Sequence, residues 1–413
     1  MPQANLGHRL TKMVARDPDE AHRSVTSLEL LYDLAFVVSF AQAGEQLAHL
    51  LAEGYVSEGI AGFAFAMFAI CWAWTNFSWF ASSFDTNDWL YRIMTMVQMV
   101  GVVVMALGLP AMFHSLQTGG HFDIRIMAAG YVVMRFAVVA QWLRAIARSH
   151  AHWKASLVHA AFISFAQIGW VVLAIADPPT AAVRAVVPVL ILLELAGPVL
   201  AELRIGGTPW HARHLAERYG LLTIIALGEG VFGTVASVST LVEREGWSPE
   251  AVTVVVAGVG LTFGMWWSYF ITPSAQILTR HRRRSVIWGY SHLLIYLSIA
   301  ATGAGLQVAA HVIEGVTEIG VPGAVLAVAL PVLVFELTLF ALYRYIMREF
   351  EVLHIALIVA TVLLLTVALA LAAHGVSIGL CLITVTLSPA IVVVGYETIG
   401  HRQAAAALER ALQ

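Results

Sequence analysis

The chain has 413 residues, 59% of them hydrophobic and 12% charged, with a mean hydropathy of +0.80 and a formal net charge of −3. Soluble domains carry about 25% charged residues. A chain this poor in charge cannot cover a water-facing surface of its size, so it reads as an all-α, polytopic integral membrane protein with the lipid bilayer as its first partner. The near-neutral charge gives no sign of nucleic acid as a partner, and Cys71 and Cys381 lie in apolar runs, where they pack rather than bridge.

Residues 1–26 are polar, lack the apolar core of a signal peptide, and are expected to form a cytoplasmic N-terminal segment. Apolar runs of about 20 residues, each long enough to span the hydrocarbon, follow at 28–51, 60–80, 93–113, 126–146, 156–176, 183–200, 215–238, 251–271, 286–309, 321–342, 355–373 and 376–396. That predicts about twelve transmembrane helices and no soluble domain. With the N-terminus inside, only Arg125, Arg184 and Arg244 fall to the outer side and Arg135 deep within a span; the other basic residues lie on the inner side or at the inner ends of spans. This is the positive-inside pattern. Both termini are therefore expected in the cytoplasm, with 403–413 as a tail. A weak repeat would make 27–205 and 206–402 two parallel six-helix halves. The first and seventh spans open polar and carry carboxylates, and the second and eighth end in aromatic clusters. Aromatic belts recur without duplication too.

The first span carries Glu29 and Asp33, four residues apart and so on one helical face. Thr26 and Glu29 fit a capping box. Asp33 is a turn deeper, where a carboxylate costs about 2.5–3.5 kcal/mol, and it needs a cation: Arg135, Arg92, Arg218 or a histidine. After the second span comes FDTNDWLYR, 84–92. On a helix Asp85, Asp88 and Arg92 share a face, with Tyr91 beside them. This group fits ion pairing at a helix end, a cytoplasmic gate, or Mg²⁺ held by oxygen ligands with a diphosphate upon it. In the fourth span Tyr131 and Arg135 are one turn apart. An arginine stays charged, so Arg135 calls for an acid, a bound anion or water.

Ahead of the seventh span Thr208 fits an N-cap and Pro209 the first helical position. His211, His214, Glu217 and Arg218 follow, as a metal set or as a wet helix end. Deeper, Glu229 stands between Gly228 and Gly230, glycines that permit close helix approach, and is a candidate protonatable site. His292, two residues after Tyr290, is either a proton relay or a satisfied core histidine. Glu194, Glu336, His159 and His354 are further polar groups in apolar surroundings. Pro188, Pro198, Pro331 and Pro389 are expected to kink their helices. The common phosphate-loop, dinucleotide and metalloprotease motifs are absent.

LELLYDLAFVVSFAQ (28–42), FDTNDWLYR (84–92), HLAERYGLLTIIALGEGV (214–231) and Tyr290 with His292 together resemble the bacterial low temperature requirement protein A (LtrA) family. The resemblance extends over nearly the whole chain. It implies a multi-pass protein of the bacterial inner membrane and groups Glu29, Asp33, Asp85, Asp88, Arg92, Glu217, Arg218, Glu229 and His292 as one family feature. It brings no established activity with it. The sequence departs from the expected pattern at Gly230, where a small hydroxyl residue is more familiar, and at Asn87, where an acid is. Three readings follow. The first is a transporter of a small polar or amphiphilic solute, proton-coupled through Asp33 and Glu229, with Arg135 as counter-ion. The second is an intramembrane enzyme acting on a lipidic or prenyl-diphosphate substrate, with Mg²⁺ on Asp85 and Asp88. The third is a membrane scaffold or stress sensor. Transport ranks first.

Overall fold

The computed structural model describes residues 10–20, 23–119, 121–149, 151–176, 178–349 and 351–412. Among them every regular element is a helix: α1 (Ser27–Ala52), α2 (Val56–Phe84), α3 (Trp89–Thr118), α4 (Arg125–Ile146), α5 (Trp153–Ala176), α6 (Thr180–Arg204), α7 (Ala212–Glu245), α8 (Pro249–Phe270), α9 (Ser274–Arg280), α10 (Ser285–Glu314), α11 (Gly320–Met347), α12 (Val352–Ala373), α13 (Ile378–Gly395) and α14 (His401–Leu412). A π-helical turn, Tyr396–Gly400, joins α13 to α14. Each predicted span coincides with one long helix, usually extended by a turn into the interfacial region. Eleven helices among the described residues are long and apolar enough to cross a membrane. The twelfth long helix, α1, falls short because Glu29, Asp33, Gln42, Glu45 and Gln46 dilute its apolar run. The protein is a multi-pass membrane protein.

One predicted boundary is displaced. Thr208 does not start α7, because the Glu202 carboxylate takes its amide and its hydroxyl (2.7 Å to the latter). The helix begins at Ala212, and the His211 ring nitrogen Nδ1 accepts the His214 amide at 3.1 Å in the capping place. The expected C-terminal tail is also helical: α14 buries Ala404 and Ala407 and packs on α9 and α11.

The chain folds into two compact units assembled from separated segments. The first comprises Met1–Ser39 and Trp72–Arg218, the second Phe40–Cys71 and Tyr219–Gln413. α1, α2 and α7 therefore each contribute one portion to each unit.

In the first unit α3 packs on α4, α4 on α5 and α5 on α6. Gly101 and Gly130 bring α3 and α4 into backbone contact: a Cβ added to Gly101 would lie 2.6 Å from the Gly130 carbonyl oxygen. The segment before α1 is pinned to the helix ends. Arg23 donates to the carbonyls of Ala81 (2.6 Å), which also accepts the Asp85 amide, and of Ser82, adding positive charge at the C-terminal end of α2.

In the second unit α10 is buried round most of its circumference and packs on α11. Gly303 meets the backbone of Glu229 on α7, and Gly305 that of Ala327 on α11. α8 packs on α13, and α13 on α12. In both units the exposed faces are apolar, as at Phe136, Phe165 and Ile175 or at Phe263 and Leu363. Contiguous exposed apolar surface of this kind is what a bilayer covers.

Candidate functional site

Two ionic networks occupy the first unit. In the first network, Glu29 and Asp33 sit four apart on α1, and His214 and Arg218 four apart on α7, so two matched helical faces meet. Arg218 Nη1 lies 3.1 Å from Glu29 Oε1, Nη2 bonds Asp33 Oδ1, and His214 Nε2 lies 3.1 Å from Glu29 Oε1. Trp74 on α2 donates its indole N–H to Asp33 Oδ1 at 2.7 Å. The guanidinium also lies over the rings of Trp74 and Phe77, at 5.5 and 5.6 Å, where the ring quadrupoles favour a cation. Glu29, Asp33, His214 and Arg218 are all fully buried. Glu29 serves twice, since it also closes the expected capping box: the Thr26 amide donates to Oε2 at 2.8 Å and the Glu29 amide to the Thr26 hydroxyl at 3.3 Å.

The second network is built on Arg135. Its partner is Glu194 of α6, at 3.2 Å, with the Tyr131 hydroxyl between them. The indoles of Trp72 (2.9 Å) and Trp170 (3.3 Å) complete the Glu194 carboxylate. Trp72 and Trp74, two apart on α2, point to opposite sides of that helix, so α2 forms the wall between the two networks. Asp33 therefore faces Arg218 and not Arg135 or Arg92.

Several buried polar atoms here have no hydrogen-bond partner among the described residues: Asp33 Oδ2, the hydroxyls of Tyr32, Ser39 and Ser78, Arg218 Nε, and Nε and Nη1 of Arg135. In a water-free membrane interior each such group left unpaired costs several kcal/mol.

At the α2–α3 turn Asp88 caps α3 through the Tyr91 amide (2.9 Å) and also bonds Arg144 and the Thr11 amide (3.1 Å). Burial raises its carboxyl, but Arg144 and these amides reverse the effect and leave it below the ordinary carboxylate range. Asp85 moves the other way: burial, then the charge of Glu29, raise it against the pull of Arg23. Arg92 is exposed and donates to Asn87 at 3.0 Å, so it joins neither aspartate. Tyr91 is buried with its ring near Phe77 and Phe80. Among the described residues no three His, Cys, Asp or Glu side chains gather as a metal site.

Glu217 is exposed on α7, accepts from the Val25 backbone, and forms no ion pair with the network that includes its neighbour Arg218 among the described residues. Glu229 and His292 belong to the second unit. Glu229 is 2% exposed, packed against Gly303, and has no ion-pair partner among the described residues. His292 is satisfied: Nδ1 bonds the Trp288 carbonyl (2.8 Å) and Nε2 the Tyr269 hydroxyl (2.9 Å), within rings from Tyr219, Trp288 and Tyr296.

The residues that sequence reasoning left out of the site are the partners: Glu194, Arg144 and the two tryptophans of α2. Glu194 carried a signal, being the one carboxylate in the apolar stretch of its helix, as Arg135 is a cation in the middle of its own. Arg144 carried none, since it reads as an ordinary helix-end arginine.

An uncharacterized protein of Rhizobium meliloti (strain 1021) is 25% identical over 292 residues, covering 67% of each chain. No solved structure gives a significant match. The model of a bacterial family, low temperature requirement A protein (LtrA), matches residues 24–389. That match takes in both networks and Glu229, and the chain belongs to the LtrA family.

Proposed function

We propose that the protein is a carrier of a small polar or amphiphilic solute in the bacterial inner membrane, coupled to protons, with both termini in the cytoplasm. The observation that carries this reading is the set of unpartnered donors and acceptors around Arg218, Asp33 and Arg135. A static scaffold is best served by complete pairs or by apolar packing, which is often as stable as a buried ion pair. Polar atoms left open along α1, α2, α4 and α7 suit a core that exchanges its partners with a solute. In this reading Arg218 and Arg135 hold the polar end of the solute, Trp74 and Tyr131 line its path, and Glu229, free of any paired cation, carries the proton. The close contact of Glu229 with Gly303 ties a change at that carboxyl to the packing of α7 on α10.

The test is solute-dependent proton entry into liposomes containing the purified protein and a trapped pH dye, driven by an imposed potential. A panel of small amino acids, amines, organic acids and sugars is screened. At least one solute class is expected to raise proton entry above that of protein-free liposomes, and Glu229→Gln is expected to abolish the rise. A wild-type protein inert to the whole panel counts against coupled transport.

A further inference from the structure

A second polar place lies wholly within the second unit and plays no part in the reading above. A cavity of about 50 Å³ opens among α8, α11, α12, α13 and the π-helical turn. A water needs roughly 10–15 Å³ of such space, so the cavity holds a molecule of a few heavy atoms. Glu336, 1% exposed, forms part of its wall. The carboxylate accepts only from neutral hydroxyls, Thr361 at 2.8 Å and Ser388 at 3.4 Å, and no cation pairs with it among the described residues. The Ser268 hydroxyl also lines the cavity; Ser268 is 5% exposed and its Oγ has no hydrogen-bond partner among the described residues. Glu351, also in the wall, accepts from the Tyr343 hydroxyl at 3.3 Å, with His354 at 3.8 Å from its carboxylate.

Thr272 is a further polar residue in the wall, and most of the rest is apolar. Phe340, Tyr343 and Tyr396 give it aromatic rings, and Leu339 and Leu357 give it branched aliphatic chains. No Lys or Arg lines it among the described residues. Tyr396 and Gly400 bound the π-helical turn, a rare element that recurs at functional sites. A buried carboxylate with no cation is costly, an unpartnered hydroxyl beside it adds to that cost, and aromatic faces attract cations. Most of the wall is apolar, whereas an inorganic ion would want oxygens on every side. We propose that the cavity is a binding site for a small alkylammonium ion, whose charged nitrogen meets Glu336 and the Ser268 oxygen and whose alkyl group lies against Phe340, Tyr343 and Tyr396.

Calorimetric titration of the purified full-length protein with ethylammonium chloride tests this, with sodium chloride and propan-1-ol as comparisons at equal ionic strength. One saturable ethylammonium site per chain is expected. Glu336→Gln is expected to weaken it at least about 30-fold, the scale for removing one side of a buried charge pair. Ser268→Ile keeps the charge but fills the space, and is expected to weaken binding as much; it decides the matter should Glu336→Gln not fold. Absence of saturable binding, equal binding of sodium or propan-1-ol, or binding unchanged in the folded variants overturns the proposal. Because binding in detergent needs no transport, failure of the carrier reading leaves this result standing, and the reverse.

Discussion

A guanidinium inside the membrane keeps its charge, so taking away either side of the Arg218 network leaves a bare charge behind. Arg218→Ala leaves Glu29 and Asp33 without their common cation and is expected to cost about 3–5 kcal/mol of stability. Asp33→Asn is expected to cost less, because Glu29 still faces the guanidinium 3.1 Å away. The combined Asp33→Asn/Arg218→Gln protein is expected to lose less than the sum of its single changes, and the shortfall measures the coupling. Denaturant unfolding in detergent reads all three. Asp88 gives a pH test outside the spans. Its folded-state pKa lies below the unfolded value of about 3.9. Its stabilisation is therefore present above about pH 4 and disappears as pH falls through the folded value. Asp88→Asn is expected to be less stable than the wild type at neutral pH and to converge with it in acid; a constant gap would contradict this assignment. At this scale the charged groups were legible, because a lone carboxylate or arginine in an apolar run demands explanation. Their pairing was not. Asp33 had several candidate cations, and the choice of Arg218 depends on which helices adjoin, a fact no local pattern encodes.

Helix contact in these units rests on small residues rather than on hydrophobic sorting, since lipid is as apolar as the helix faces. Gly130 illustrates the demand: an added Cβ would lie 2.5 Å from the Gly101 carbonyl oxygen and closer still to the Met105 backbone nitrogen. Gly130→Ala is expected to destabilise by about 1–3 kcal/mol, the range for overpacking. Gly228 is the contrast, with nothing within 4 Å of an added Cβ and no left-handed backbone. Gly228→Ala is expected to be neutral or slightly stabilising, by up to about 1 kcal/mol. Thermal unfolding of the two variants distinguishes them, and equal effects would contradict the packing described. Helix extents were the most legible feature, because about 20 apolar residues are needed for each crossing. The start of α7 was misread for a specific reason: Glu202 captured the threonine that looked like a cap, and His211 took its place. Two of the arginines expected in outer loops also have local uses. Arg125 pairs with Asp123 at 2.7 Å, and Arg244 donates to the Ile313 carbonyl near the end of α10.

Across the whole molecule, a reporter fused to the C-terminus is expected to read cytoplasmic; an external signal would refute the orientation. The division into two units left no mark in the sequence, because its boundaries, 39/40, 71/72 and 218/219, fall inside α1, α2 and α7 rather than in loops. The central claim is that the core of the first unit exchanges partners with a polar solute. Ser78 tests it, being fully buried, one turn beyond Trp74 on α2, with an unpartnered hydroxyl. In a chain whose two native cysteines, Cys71 and Cys381, are changed to alanine, Ser78→Cys can be challenged in oriented vesicles with small charged thiol reagents added to one face and then the other. A carrier predicts modification from each face in turn, slowed by a transported solute. An unreactive cysteine from both faces, beside a reactive one at an exposed control position, would contradict it.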